Sequence, residues 1–217
     1  MRRLTLAALL LANSLPACAA SAALTKDNGV FRLTGQGRIP APLGALFPML
    51  TEYSEYPRWA LQNINRPREG RKKGYFLSIE GLDYDKDRET FKLLLSIRLF
   101  FKGKHSLSLS VTNRLNQTPP QLSFELARPT RLVFDAVATL TLHEAENGRA
   151  AEATLDARAK THWALYHLAP FRVLRANAED RVLIVLENAV NRFRKNPNQA
   201  APEIGTQITQ RLRRDAR

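Results

Sequence analysis

Cysteine is almost missing from this chain: Cys18 is the only one in 217 residues. No intramolecular disulfide can form, so the fold must hold without covalent staples even in an oxidising compartment. Acidic residues are scarce as well, 20 against 33 Lys and Arg, for a formal net charge of +13. Beyond the N-terminus no run approaches the roughly 20 apolar residues that a membrane-crossing helix needs. The ten glycines are dispersed, and neither a phosphate-binding glycine loop nor G-x-S-x-G occurs. Four histidines are scattered, and the nearest pair, His162 and His167, lie five apart, which a helix would not bring together. Asp83, Asp85 and Asp87 alternate, but Lys86 and Arg88 sit among them and no glycine follows where a calcium loop requires one. These absences leave no paired acid and base, so the expectation is a protein that is not an enzyme and uses no metal and no cofactor.

The N-terminus has a character of its own. Arg2 and Arg3 precede a short apolar run from Leu4 to Leu15, followed by the small residues Ala17, Ala19, Ala20 and Ala22. That is the pattern of a secretory signal peptide, expected over residues 1–22, with A-x-A cleavage sites ending at Ala19 or Ala22. Export to a bacterial periplasm follows. Leu15-Pro16-Ala17-Cys18 also resembles a lipobox, which would instead anchor the protein through a lipidated Cys18. Removing 22 residues leaves 195, enough for a single domain over 23–196. Residues 197–217 form a basic, largely irregular tail. Export argues against nucleic acid as the partner of the basic surface, leaving either contact with an anionic membrane or a solvated basic surface with no specific partner.

From Val30 the chain alternates at period two. Val30 to Ile39, Gly74 to Tyr84, Phe91 to Phe101, His105 to Leu115, Leu122 to Leu126, Leu132 to His143 and Ala151 to Lys160 predict seven strands. Lys102-Gly103-Lys104 is expected as a turn, and Asn147-Gly148 as a hairpin. One antiparallel sheet with a buried and a wetter face is the result. After Pro170 the period changes. Phe171, Leu174, Ala178, Val182, Val185, Ala189 and Phe193 recur at steps of three and four until Pro197, a helix of about 25 residues and roughly 37 Å.

The order is strand, short helix, six strands, long helix. Gly37-Arg38-Ile39-Pro40-Ala41-Pro42 leads into the short helix, with Phe47, Leu50 and Tyr53 and then Tyr56-Pro57-Arg58-Trp59. In these residues and in element order over about 29 to 195, the chain resembles the START-like superfamily (SRPBCC, Bet v 1-like, polyketide cyclase/coenzyme Q-binding). The resemblance implies an α+β helix-grip fold, a curved seven-stranded antiparallel sheet wrapped around the C-terminal helix, with a cavity for lipids, quinones or other apolar molecules. The signal peptide and the basic tail depart from the better-known cytosolic members.

Candidate ligand-binding residues are polar or aromatic groups in apolar surroundings and the sheet-facing side of the last helix. Arg98 shares a strand face with Leu94, Ser96 and Phe100, so it would meet an anionic head group if that face were inner, or water if outer. Trp59 and Trp163 would line a pocket mouth or cap the core. Leu174, Ala178, Val182 and Val185 should face the sheet, with the small Ala178 leaving room. The expected function is an exported, monomeric carrier for a small hydrophobic ligand. The alternative is a non-catalytic module with a packed interior, docking on an envelope partner or an anionic membrane.

Overall fold

A computed structural model describes residues 20–66, 77–98 and 102–195. Eight strands form one antiparallel sheet: β1 (Ser21–Asp27), β2 (Val30–Ile39), β3 (Leu77–Asp85), β4 (Thr90–Arg98), β5 (Lys102–Arg114), β6 (Gln121–Leu126), β7 (Val133–Ala145) and β8 (Ala150–Thr161). Their order across the sheet is β1-β2-β8-β7-β6-β5-β4-β3, so β1 and β3 are the edges. Between β2 and β3 come α1 (Leu43–Thr51), a single 3-10 turn (Tyr53–Glu55) and α2 (Tyr56–Trp59). After β8 come α3 (Trp163–Leu168) and α4 (Phe171–Lys195). α4 has 25 residues, the length its apolar period predicts.

The sheet has eight strands where seven were expected. The added one is β1, whose seven residues bury only Leu24 and therefore carry almost no alternation signal. Its pairing is set by the turn: Asn28 and Gly29 both have positive φ, 46° and 80°, the two-residue hairpin geometry that suits Asn-Gly. Ser21 pairs with Gln36 and Ala22 with Gly35, so a leader ending at Ala22 would take the first two residues of β1 with it, and one ending at Ala19 would not. Lys102-Gly103-Lys104, expected as a turn, instead opens β5 in register with β4. The Asn147-Gly148 hairpin forms as predicted, again with positive φ at both residues. α3 was not foreseen; six residues are too few to show a helical period.

α4 lies against β1 and β2 and reaches back to α2. Two glycines of β2 make the close approach possible. A Cβ on Gly35 would stand 2.6 Å from Val182 Cγ1, and one on Gly37 2.9 Å from Leu186 Cδ1. The helix also covers both sheet edges. Glu179 Oε1 accepts a hydrogen bond from Leu24 N of β1 at 3.1 Å, while Arg181 donates to Leu77 O of β3. Asn65 completes the β3 edge with its side-chain amide, accepting from Ile79 N at 2.9 Å and donating to Ile79 O at 2.6 Å. Unpaired strand edges invite pairing with other chains, and here side chains occupy one outward backbone group of β1 and three of β3.

Candidate functional site: an apolar cavity beneath the C-terminal helix

Alternate residues of the curled sheet face inward, and they meet two different environments. Beneath α1 and α2 the interior is filled. Tyr53, Tyr56, Tyr84 and Phe91 contact one another with ring centroids 5.0 to 5.8 Å apart, and Trp59 sits edge-on to Tyr56 at 5.2 Å. Tyr56 Oη donates to Leu50 O at 2.6 Å. Burial pushes the Tyr56 hydroxyl far above its ordinary pKa, with the neighbouring Tyr53 adding to the shift. Burial raises Tyr53 too.

Beneath the first half of α4 the interior is open. A cavity of about 320 Å³ lies there, lined almost wholly by carbon. Its floor is four alanines on adjacent strands, Ala136 and Ala138 of β7 and Ala157 and Ala159 of β8. Leu24, Phe31 and Leu33 wall it on the β1–β2 side, and Leu93, Leu107, Leu109 and Phe124 on the other. Leu165 of α3 with Leu174 and Ala178 of α4 form the roof. The space exists because the facing positions on β7, β8 and α4 are small. A volume near the low end of ligand pockets (~300–1,000 Å³) is about twice the ~150 Å³ apolar void known to stay dry and take up benzene.

One lining group is polar and unsatisfied. Thr161, at the end of β8, is buried, and its Oγ1 has no hydrogen-bond partner. A buried hydroxyl without a partner costs free energy unless something supplies one. His105 continues the inward stripe of Leu107 and Leu109 along β5, and its Nε2 is also buried without a partner among the described residues. A larger depression of about 660 Å³ lies on the outer face of the sheet. Its walls mix Thr34, Thr139, Thr141, Thr154 and an exposed Arg32–Asp156 pair at 3.8 Å with Ala22, Ala23 and Val137, so it lacks the almost wholly carbon lining of the inner cavity.

The candidates drawn from the sequence fall in three places. Leu174 and Ala178 line the cavity. Val182 and Val185 lie one and two turns further along α4, Val182 against Gly35 and Val185 against the packed core, outside the cavity wall. Trp59 is core, not pocket, and its Nε1 is buried without a partner. Arg98 is exposed on the outer face, opposite Phe91 and Ile97, because the strand's inward positions are the odd-numbered ones; it does not reach the cavity. Phe100 lies outside the described residues. Trp163 is exposed, neither core nor cavity wall. Sequence reading missed Thr161 and the alanine floor. The signal was present in the Ala157-x-Ala159 alternation, matched across the register by Ala138 and Ala136.

Among the described residues no group of three or more His, Cys, Asp or Glu could hold a metal ion. Neither a protein-family model nor a curated protein matches the sequence. Solved structures do match. A conserved protein from Geobacillus kaustophilus is similar at 13% identity, with a TM-score of 0.54 over 76% of this chain and 96% of that one. A START superfamily protein from Mycobacterium smegmatis is similar at 11% identity, with a TM-score of 0.47 over 76% and 97% of the two chains. An aromatase/cyclase from Streptomyces sp. R1128 is similar at 12% identity, with a TM-score of 0.48 over 79% and 98%. Identities this low speak to fold alone, and the Geobacillus kaustophilus likeness, together with a curled antiparallel sheet closed by a long C-terminal helix, gives this chain an α+β helix-grip fold.

Proposed function

We propose that this protein is an exported carrier that binds one small hydrophobic molecule in the cavity beneath α4. The observation that carries the reading is the carbon-lined space of about 320 Å³ with a single unsatisfied hydroxyl, Thr161 Oγ1, in its wall. Apolar walls bind by removing ligand surface from water, worth roughly 25 cal/mol per Å². A lone polar group then fixes orientation. The fitting ligand is compact, or is the end of a longer lipid or quinone, and carries an acceptor or hydroxyl that can reach Thr161. The START-like fold, whose members include ligand-binding proteins, supports this class of ligand. The signal peptide pattern supports a periplasmic location, and the covered sheet edges support a monomer.

Calorimetric titration with a soluble apolar probe, N-phenyl-1-naphthylamine, tests the reading. Binding with a negative heat-capacity change, lost in Ala178→Phe, is expected. Equal binding by the Ala178→Phe variant, or none by the wild type, would show that the cavity is not a ligand site.

A further inference from the structure

Large apolar side chains are seldom left in water, and where several collect they mark an interaction surface. Among the described residues five are exposed, and four of them lie at one end of the molecule: Trp163 at 62%, Leu168 at 47%, Phe134 at 43% and Val173 at 36%. The fifth, Leu94, is on the outer face of β4. The four come from β7, α3 and the start of α4, elements that meet at the end of the sheet where β8 leaves it. Phe134 and Trp163 both contact the His162 ring, at 6.0 and 5.9 Å between centroids. His162 N in turn donates to Leu132 O at 2.9 Å, tying the β6–β7 loop to the start of α3.

The charges around this tip have one dominant sign. Arg128, Arg131, Lys160 and Arg172 are exposed there, against the exposed acids Asp135 and Asp27. None of the four cations enters an ion pair among the described residues. An exposed tryptophan and phenylalanine ringed by arginine and lysine match the chemistry of a bilayer interface. There the ring sits at head-group depth while each cation near an anionic surface adds about fivefold to binding. The position adds a second argument. Leu165, two residues from Trp163 on the same short helix, is part of the cavity roof, so the tip and the cavity share an element.

We infer that this aromatic tip, centred on Trp163 and Phe134, docks the protein on anionic lipid bilayers, with α3 lying at the membrane interface. The tip can dock whether or not the cavity carries a ligand, so the inference goes beyond the carrier reading and stands apart from it.

The test uses the exported, processed chain with vesicles of phosphatidylcholine, with and without phosphatidylglycerol. Trp59 is buried and Trp163 exposed, so a change in tryptophan emission reports the tip. The wild type should co-sediment with phosphatidylglycerol vesicles and show a blue shift, both weakened by salt. Phe134→Ala/Trp163→Ala should lose at least about tenfold in partitioning, and Arg128→Glu/Arg131→Glu should abolish the preference for the anionic lipid. Trp163→Phe should keep the binding and lose the shift. Unchanged sedimentation of the double alanine variant would overturn the inference, because binding would then come from another basic region. Failure of the wild type to bind, or a dimer that dissociates in the double variant, would overturn it also. Uptake of N-phenyl-1-naphthylamine should be equal in all the variants, so loss of docking and failure of the carrier reading give different results.

Discussion

Glu179 and Arg181 stand two residues apart on α4 and hold opposite edges of the same sheet. Glu179 takes the amide of Leu24 on β1, and Arg181 gives a hydrogen bond to the carbonyl of Leu77 on β3. Six strands lie between those two edges, and a flat sheet could not present both to one turn of helix. The curl of the sheet and the seating of α4 are therefore one feature, and the cavity is the part of the enclosed space that side chains leave unfilled.

Removing that clasp should loosen β1 first. Glu179 is largely buried and also accepts from Arg175 Nε at 2.7 Å, so Glu179→Ala leaves the Leu24 amide without its partner. A loss of about 1.5–3 kcal/mol is expected for a hydrogen bond to a charged acceptor. Urea unfolding measures it, and hydrogen exchange at Leu24 should speed up by a similar factor. A variant as stable as the wild type would show that the contact does not hold the edge.

Gly35 has a different task, to admit the helix. Gly35→Ala should cost about 1–3 kcal/mol, since its Cβ would overlap Val182. Adding Val182→Ala should recover part of that loss, with a favourable coupling of about 1 kcal/mol or more in the double-mutant cycle. Simple additivity would mean that the two residues do not touch.

Thr161→Val keeps the shape of the cavity wall and removes its one unsatisfied hydroxyl. Without ligand, the variant should be as stable as the wild type or slightly more so. Affinity for the natural ligand should fall by about fivefold to tenfold, the worth of one hydrogen bond, while a probe with no polar group should bind unchanged. Equal affinity for the natural ligand would remove Thr161 from the site.

Tyr56 sets the alkaline limit. Its ordinary pKa is 10.0, and burial raises it in the folded state. The folded protein therefore holds the phenolic proton after the unfolded chain has released it. The stabilisation is complete below pH 10 and is lost as pH rises above it, at up to about 1.4 kcal/mol per pH unit. Tyr56→Phe should be less stable near neutrality by about 1 kcal/mol, through loss of the bond to Leu50 O. Its stability should also fall less steeply above pH 10. Parallel curves for the two proteins would assign the alkaline transition to other groups.

The long helix and most strands were legible because their periods are strong, while the six residues of α3 are too few to show one. The apolar recurrence from Phe171 to Phe193 gave α4 its length, and Leu107, Leu109 and Val111 gave β5 its inner face. β1 was not legible, because an edge strand with one buried residue lacks a pattern, and Ser21 and Ala22 also fit the end of a leader. The site was half legible. Leu174 and Ala178 follow from helical period, whereas Val182 and Val185 share that face but lie beyond the cavity's end, a limit set by Gly35 across the interface. Arg98 could not be assigned to a face from its own strand, where Leu94 points out and Leu93 points in with nearly equal hydrophobicity. Space itself has no residue to mark it, and the alanines of β7 and β8 become a floor only when the register sets them side by side.

Native mass spectrometry of the exported protein, followed by organic extraction, bears most directly on the carrier proposal. Wild-type protein should carry one small apolar molecule per chain, and Ala178→Phe, purified alongside, should carry none. The same spectrum gives the mature N-terminus, expected at Ala20 so that β1 stays whole. Wild type and variant both emerging empty, with nothing extracted from either, would contradict the account.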